Sequence, residues 1–300
     1  MNHSGKLEPA LAAYLEERVR WVDDTLDWLL PPDLRPPRQL YEAMRYSLTA
    51  PGKRIRPVLL LAACEAVGGN PRVALPAAAA VEMVHAYSLI HDDLPAMDDD
   101  DLRRGRPSNH TVYGEATAIL AGDGLLTTAF EVLGSAQLEP TADAATRLAV
   151  LADLAHAAGP GGMVGGQAAD IAARRKGEVE LPELEFIHTH KTGALIVASL
   201  RMGARLGGGS AAQIEALTRY GRHIGLAFQI ADDILDQAGE SGEGEQPDGN
   251  QATYPSLLGL AASREHADAL VERALVELEP FGTEAALLRS LARYIVARTH

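Results

Sequence analysis

The sequence predicts an all-α protein, one helical bundle around a central cavity. Apolar residues make up 47% of the 300, Ala and Leu dominate them, and aromatics reach only 5%; that composition favours helix over strand. Apolar runs of helical length recur along the chain, parted by Pro and Gly breakers. No alternating strand pattern of useful length and no short-period repeat interrupts them.

The elements follow in order. Leu7 to Leu30 reads as an amphipathic helix stopped by Pro31-Pro32. Residues 38–49 form a second, ended by Pro51-Gly52. Pro57 to Val67 is a buried helix with Pro in its first turn, broken by Gly68-Gly69-Asn70-Pro71. Pro76 to His91 is strongly helical, and Gly114 to Leu133, 143–158 and Gly161 to Ala173 follow an acidic loop. Residues 182–206 and 210–237 are long helices, and 261–278 and 283–298 finish the chain. Gly239 to Gln251 is Gly, Glu, Ser, Asp and Pro with almost nothing apolar, so a flexible loop is expected there. No linker divides the chain, and residues 1–300 are expected to form a single domain.

Composition excludes several functions. A net charge of −14 argues against a general nucleic-acid partner. The first ten residues carry no apolar signal core, and no long uninterrupted apolar run suggests a membrane span. The one cysteine, Cys64, cannot form an intramolecular disulfide and suits a reducing compartment. A cytoplasmic enzyme is expected.

Two acidic clusters about 140 residues apart point to the chemistry. The first is Asp92-Asp93-Leu94-Pro95-Ala96-Met97-Asp98, extended by Asp99, Asp100 and Asp101; the second is Asp232-Asp233-Ile234-Leu235-Asp236. Carboxylates this dense repel unless a cation sits among them. Hard divalent cations, with water and substrate phosphate completing their shell, suit such sites. Gln229, Asp232, Asp233 and Asp236 stand at i, i+3, i+4 and i+7, one stripe of a helix; the bland alternative is a solvated acidic face. Asp92 and Asp98 are too far apart for a straight helix to align, but Pro95 lets the chain loosen and Asp98 return. An EF-hand is rejected, because Arg103-Arg104 occupies the middle of the loop it would need.

Candidate phosphate ligands surround these acids. Arg103, Arg104 and Arg106 follow the first cluster at once, and a guanidinium fork suits phosphate; charge balance on a loop is the alternative. Gly52-Lys53-Arg54-Ile55-Arg56-Pro57 places three cations at a helix start, where a bound anion gains from both dipole and charge. His85 lies two turns before Asp92, as a ligand or a satisfied core histidine. His190-Lys191-Thr192-Gly193 sits within a helical pattern, where Gly marks a close approach. Gly161-Gly162-Met163-Val164-Gly165-Gly166-Gln167 has no preceding strand, so it is no dinucleotide loop and instead allows tight helix packing.

These motifs, in this order from about residue 40 onward, resemble the trans-isoprenyl diphosphate synthase family, in its bacterial-type farnesyl diphosphate synthase form. Gly52-Lys53-Arg54-Ile55-Arg56-Pro57 resembles the isopentenyl diphosphate motif, and Asp92-Asp93…Asp98 and Asp232-Asp233-Ile234-Leu235-Asp236 resemble the two aspartate-rich motifs. Gly165-Gly166-Gln167, Lys191-Thr192 and Phe228-Gln229 are also in place.

The resemblance implies a homodimeric isoprenoid-synthase bundle that condenses isopentenyl diphosphate with dimethylallyl and geranyl diphosphate, releasing diphosphate by ionisation, condensation and elimination. It implies Mg²⁺, about three ions around a bound diphosphate. Carried over, Asp92, Asp98 and Asp232 hold magnesium, with Asp93, Asp233 and Asp236 as further metal-binding carboxylates of the two motifs and Asp232 also at the substrate. Arg103, Lys191 and Gln229 face the allylic diphosphate, and Thr192 and Gln229 turn dipoles to the cation. Lys53, Arg56, His85 and Arg104 bind isopentenyl diphosphate. Tyr87, with Ser88 beside it, stands about 7.5 Å down the helix axis from Asp92 and would stop the growing chain at farnesyl length. The alternatives are a geranyl or geranylgeranyl diphosphate synthase, then a class I terpene cyclase or a non-catalytic regulatory subunit. One departure stands out: Gln251 occupies the position two before Thr253-Tyr254-Pro255 where the family carries Lys, which predicts weaker allylic binding or slower ionisation.

Overall fold

The computed structural model describes residues 8–32, 36–135, 142–177, 179–237 and 252–297. Gln251 and the expected 239–251 loop lie outside them. The helices are α1 (Pro9–Leu29), α2 (Arg38–Leu48), α3 (Ile55–Ala66), α4 (Leu75–Asp92), α5 (Asn109–Tyr113), α6 (Glu115–Gly134), α7 (Ala144–Ala158), α8 (Met163–Lys176), α9 (Leu181–His188), α10 (Ala194–Leu206), α11 (Ala211–Gln237), α12 (Tyr254–Leu258), α13 (Leu260–Glu277) and α14 (Ala286–Ala297). The all-α expectation holds, with one addition. A two-stranded antiparallel ribbon, β1 (Leu102–Arg103) and β2 (Arg106–Pro107), follows the first acidic cluster.

Local chemistry sets the element ends. The Asn70 side chain accepts from the Arg72 amide and starts a 3₁₀ turn, Pro71–Ala74, that runs into α4 with Pro76 in its first turn. Asp143 caps α7 through the Thr146 amide, and Gly177 ends α8 at φ 80°. Thr253 and Ser256 form a capping box on α12.

The expected 182–206 helix is not continuous. Residues Thr189–Gly193 form a π turn between α9 and α10. Thr189 Oγ1 donates back to the Glu185 and Phe186 carbonyls, which opens the regular ladder.

Two clusters of buried apolar side chains lie on either side of the α3–α10 pair. One is centred on α4, with Leu60, Leu61 and Cys64 from α3 and Leu195 and Met202 from α10. The other is centred on α11, with Val58, Leu59 and Ala62 from α3 and Ile196 and Leu200 from α10. A Cβ at Gly203 would lie 2.0 Å from the Leu60 carbonyl oxygen, so α10 meets α3 backbone to side chain-free backbone. Both helices thus bury opposite faces and join the clusters into one framework.

Two stretches, Pro71–Asp92 and Glu115–Gly134, are long and apolar enough to cross a membrane by length and composition. The expectation of no such segment overlooked them because isolated polar residues interrupt each run. The first is 67% buried, as a central helix must be; the second is 39% buried. On α6, Ile119 and Leu120 stand exposed.

Candidate active site

The site is built where α4 ends. Past Asp92 the chain folds back on itself, as Pro95 predicted. The Asp98 amide donates to the Asp92 carbonyl at 2.9 Å and the Asp100 amide to the Asp93 carbonyl at 3.2 Å, with Asp99 at φ 57°. The three motif carboxylates then differ in kind. Asp93 is buried and accepts from Arg103 Nε and Nη2 at 2.9 and 2.6 Å. Asp98 Oδ1 accepts from Arg174 Nη1 at 2.8 Å. Asp92 has no side-chain hydrogen bond among the described residues. Burial, with Asp98 and Asp93 beside it, outweighs Lys191 and Arg103 and pushes its carboxyl up to about 6.

The ribbon positions the arginines. Arg104 and Gly105 form its two-residue turn, both at positive φ (53° and 71°), the geometry that matches strand twist. Arg103 is thereby returned to Asp93 and Asp100, while Arg104 Nη1 reaches the Pro51 carbonyl at 3.2 Å. Strands of two residues carry no readable alternation, so the sequence concealed this element.

The three cations before α3 divide. Arg54 adopts φ 47° and is buried; it donates to Asp23, Glu82 and the carbonyls of Leu48 and Ala50. It is therefore a structural clamp, not part of an open anion site. Lys53 is exposed, and Arg56 keeps a buried Nε with no partner. Burial lowers the Arg56 pKa, opposed by the pull of Glu82 and Asp232. His85 is pushed well below its usual range by burial and then by Arg56, Arg104, Arg54 and Arg103, so it is neutral at physiological pH. A cleft of about 140 Å³ lies between α2, α4 and the ribbon, lined by His85, Arg54, Arg103, Arg104 and Arg106 among others. Glu82 and Asp93, which also line the cleft, hold Arg54 and Arg103, so Arg104 and Arg106 beside the neutral His85 are the groups that favour an anion there.

The opposite wall comes from α8, the π turn and α11. A Cβ at Gly166 would lie 2.2 Å from the Lys191 amide nitrogen, and one at Gly225 3.2 Å from the Gly193 Cα. The glycine cluster therefore gives the expected tight packing, with the π turn gripped between α8 and α11. Lys191 Nζ donates to Asp170 Oδ2 at 2.7 Å, and Thr192 is half-buried beside it. On α11 the predicted single stripe splits. Gln229 and Asp232 are half-buried and Asp236 is exposed, but Asp233 is buried and its Oδ2 accepts the Tyr254 amide at 2.9 Å. Asp233 thus ties α11 to α12 across the undescribed segment. Tyr87 is also buried, its ring edge-on to His91 at 5.7 Å, and His91 Nε2 lies 3.0 Å from the Ile119 carbonyl on α6. Ser88 Oγ donates to the His85 carbonyl.

The carboxylates do not form a ready-made cage. Among the described residues no three His, Cys, Asp or Glu side chains stand together to hold an ion. The donors are nonetheless hard oxygens in negative excess, and the desolvated, unpartnered Asp92 is the kind of carboxylate a divalent cation relieves. Carboxylates of this kind would suit a hard divalent cation such as magnesium, which would supply positive charge between them.

Sequence reasoning missed Arg174, which donates to both Asp98 and Asp170. Its signal was the i,i+4 spacing from Asp170. The acids that hold Arg54, Asp23 and Glu82, were invisible because they lie on other helices.

Residues 37–280 match the polyprenyl synthetase family. The farnesyl diphosphate synthase of Geobacillus stearothermophilus is 47% identical over 292 residues, covering 96% of this chain and 97% of its own length. The large subunit 1 of the heterodimeric chloroplastic geranylgeranyl pyrophosphate synthase of Arabidopsis thaliana is 48% identical over 294 residues, 95% of this chain and 79% of its own length. Among solved structures, an apo FPP/GFPP synthase from Zymomonas mobilis superposes with a TM-score of 0.87 at 42% identity, covering 96% of this chain and 99% of the other. On motif order, fold and similarity over nearly its whole length, the chain belongs to the polyprenyl synthetase family of prenyltransferases.

Proposed function

We propose that this protein makes farnesyl diphosphate from isopentenyl diphosphate and dimethylallyl or geranyl diphosphate, as a cytosolic, magnesium-dependent homodimer. The observation that carries the chain length is Tyr87. Its ring is buried one and a half turns below Asp92 and braced by His91, which is itself held at α6. A prenyl tail extending from the acidic walls along α4 meets that ring.

Asp92, Asp98 and Asp232 are the proposed magnesium ligands, with Asp236 at the mouth. Magnesium, when bound, supplies positive charge for the departing diphosphate. Arg103, Lys191 and Gln229 bind the allylic diphosphate; Arg103 and Lys191 exchange Asp93 and Asp170 for phosphate oxygens. Asp93 and Asp233, both buried, orient their walls. Lys53, Arg56, His85 and Arg104 hold isopentenyl diphosphate, and the neutral His85 donates without adding charge. Thr192 and Gln229 direct dipoles at the allylic cation, which the isopentenyl double bond attacks. A proton then leaves to the released diphosphate.

Exposed Ile119 and Leu120 on α6, a helix only 39% buried over its apolar window, support a second copy docking there. Light scattering giving a monomer mass would sink the dimer. The geranylgeranyl alternative has relatives of that name at comparable identity, 48% against 47%. Incubation with isopentenyl and dimethylallyl diphosphates and Mg²⁺, followed by product chromatography, separates the two. A fifteen-carbon product that lengthens in Tyr87→Ala is expected. A twenty-carbon product from the unaltered protein, or unchanged length in the variant, overturns the assignment.

A further inference from the structure

Arg174 is the cross-link between the two walls. Its Nη1 donates to Asp98 Oδ1 and its Nη2 to Asp170 Oδ2, both at 2.8 Å. Asp98 and Arg174 are 76 residues apart, so no local element holds this contact. Asp170 in turn accepts Lys191 Nζ at 2.7 Å. Two carboxylates and two cations thus form a chain, Asp98–Arg174–Asp170–Lys191, that is neutral as a unit.

We propose that Arg174 is a positioning residue for metal, a strut that fixes the rotamer of Asp98 and turns its second oxygen toward the ion. The proposal rests on the magnesium-dependent reading above. Three arguments lead here. The guanidinium donates to Oδ1 of Asp98, and no side-chain hydrogen bond to Oδ2 is formed among the described residues. Asp98 sits on a turn of irregular backbone, beside Asp99 at φ 57°, so its side chain needs an external support to be ordered before an ion arrives. The charge of Arg174 would by itself repel a dication, but Asp170 lies against the same guanidinium and offsets it. Support then outweighs repulsion, as for outer-layer partners of metal ligands generally, whose loss weakens metal affinity about 10–100-fold. The planar fork matters as well: an ammonium reaches one carboxylate but cannot span two in a fixed plane.

The test is Mn²⁺ binding to the substrate-free protein, followed by the loss of the free-ion electron paramagnetic resonance signal, with thermal melts in parallel. Arg174→Gln should raise the Mn²⁺ Kd about 10-fold, and Arg174→Lys should fall between the variant and the unaltered protein. Equal affinity with only a lowered Tm makes Arg174 a structural brace and overturns the proposal. Tighter binding in Arg174→Gln shows competition with the ion and overturns it too. Full recovery in Arg174→Lys makes charge sufficient and overturns the fork argument. Should Arg174→Gln not fold, a Lys variant that folds and binds Mn²⁺ no more weakly than the unaltered protein is decisive against the strut. An unaltered protein that binds no Mn²⁺ removes the metal reading itself; one that binds while the variants match it removes this proposal alone.

Discussion

Gly166→Ala isolates the contact that places Lys191. The added Cβ would lie 2.2 Å from the Lys191 amide nitrogen, 2.7 Å from its Cα and 2.8 Å from the His190 carbonyl carbon. Ordinary contact begins at 3.4 Å, so a gap of 3.4 − 2.2 = 1.2 Å must open. The obstructing atoms are backbone, already held from behind by Gly193 against Gly225, and cannot rotate aside. Overpacking of this kind costs up to ~3 kcal/mol, offset by the ~1 kcal/mol that Ala gains over Gly inside a helix. The net loss is about 2 kcal/mol, or about 4 °C in Tm at the roughly 2 °C per kcal/mol expected for a chain this large. Catalysis should suffer more. Displacing a substrate-positioning group by ~1 Å costs about 100-fold in rate. The assay is kcat with isopentenyl and geranyl diphosphates beside a calorimetric melt. Gly134→Ala is the control, because nothing lies within 4 Å of its Cβ and Tm should hold or rise slightly. Activity within threefold of the unaltered protein, at an unchanged Tm, would refute the idea that this close approach sets the lysine.

Arg54→Met should remove the clamp under α3 and leave Glu82, whose side chain is only 5% exposed, as a buried unpaired charge. A loss of about 3–5 kcal/mol is expected, partly restored by adding Glu82→Gln, as read from thermal melts of both variants. Asp233 supplies a pH prediction for the protein kept in chelator. Burial, reinforced by Asp236 and Asp232 and only partly offset by the Tyr254 amide, pushes its carboxyl from 3.8 to about 7. The folded chain then binds this proton more tightly than the unfolded one, so the group favours folding below about 4 and loses that advantage as pH rises through 7. Asp233→Asn retains an acceptor for Tyr254 and should gain Tm relative to the unaltered protein across that window; a difference that is flat with pH argues against it.

What the sequence disclosed was local and periodic. The helices around Pro76 to His91 and 210–237 followed from apolar spacing, and the return of Asp98 to Asp92 followed from Pro95 and is present in the backbone hydrogen bonds. What it concealed was non-local. Arg54 and Arg56 differ by two positions in one cationic run, yet one is clamped by acids from α1 and α4 and the other keeps an unpartnered Nε. Asp232 and Asp233 are adjacent, yet the first is half-buried on the α11 stripe and the second turns to α12. The π turn depends on Thr189 bonding to the preceding turn, a choice that a 3.6-residue period does not register.

Backbone strain in this molecule is concentrated where charge must be aimed. The non-glycine residues with positive φ among those described are Arg54, Asp99 and Arg104, and all three are charged and border the site. Each such conformation costs about 1–3 kcal/mol and persists only when its surroundings over-determine it. Arg54 is over-determined by two acids and two carbonyls, Arg104 by the ribbon turn and the Pro51 carbonyl, and Asp99 by its amide bond to the Leu94 carbonyl. Glycine would relieve the strain at any of them, as Gly105 at φ 71° does beside Arg104, yet these three positions carry charged side chains. A side chain on a left-handed residue leaves the backbone in a direction that a helical residue cannot supply. The bundle thus places regular, glycine-packed helices where walls must be rigid and left-handed charged residues where the cationic and acidic groups must meet. On α11, where none of these left-handed residues lies, it is instead the Tyr254 amide that draws Asp233 away from the stripe of Asp232.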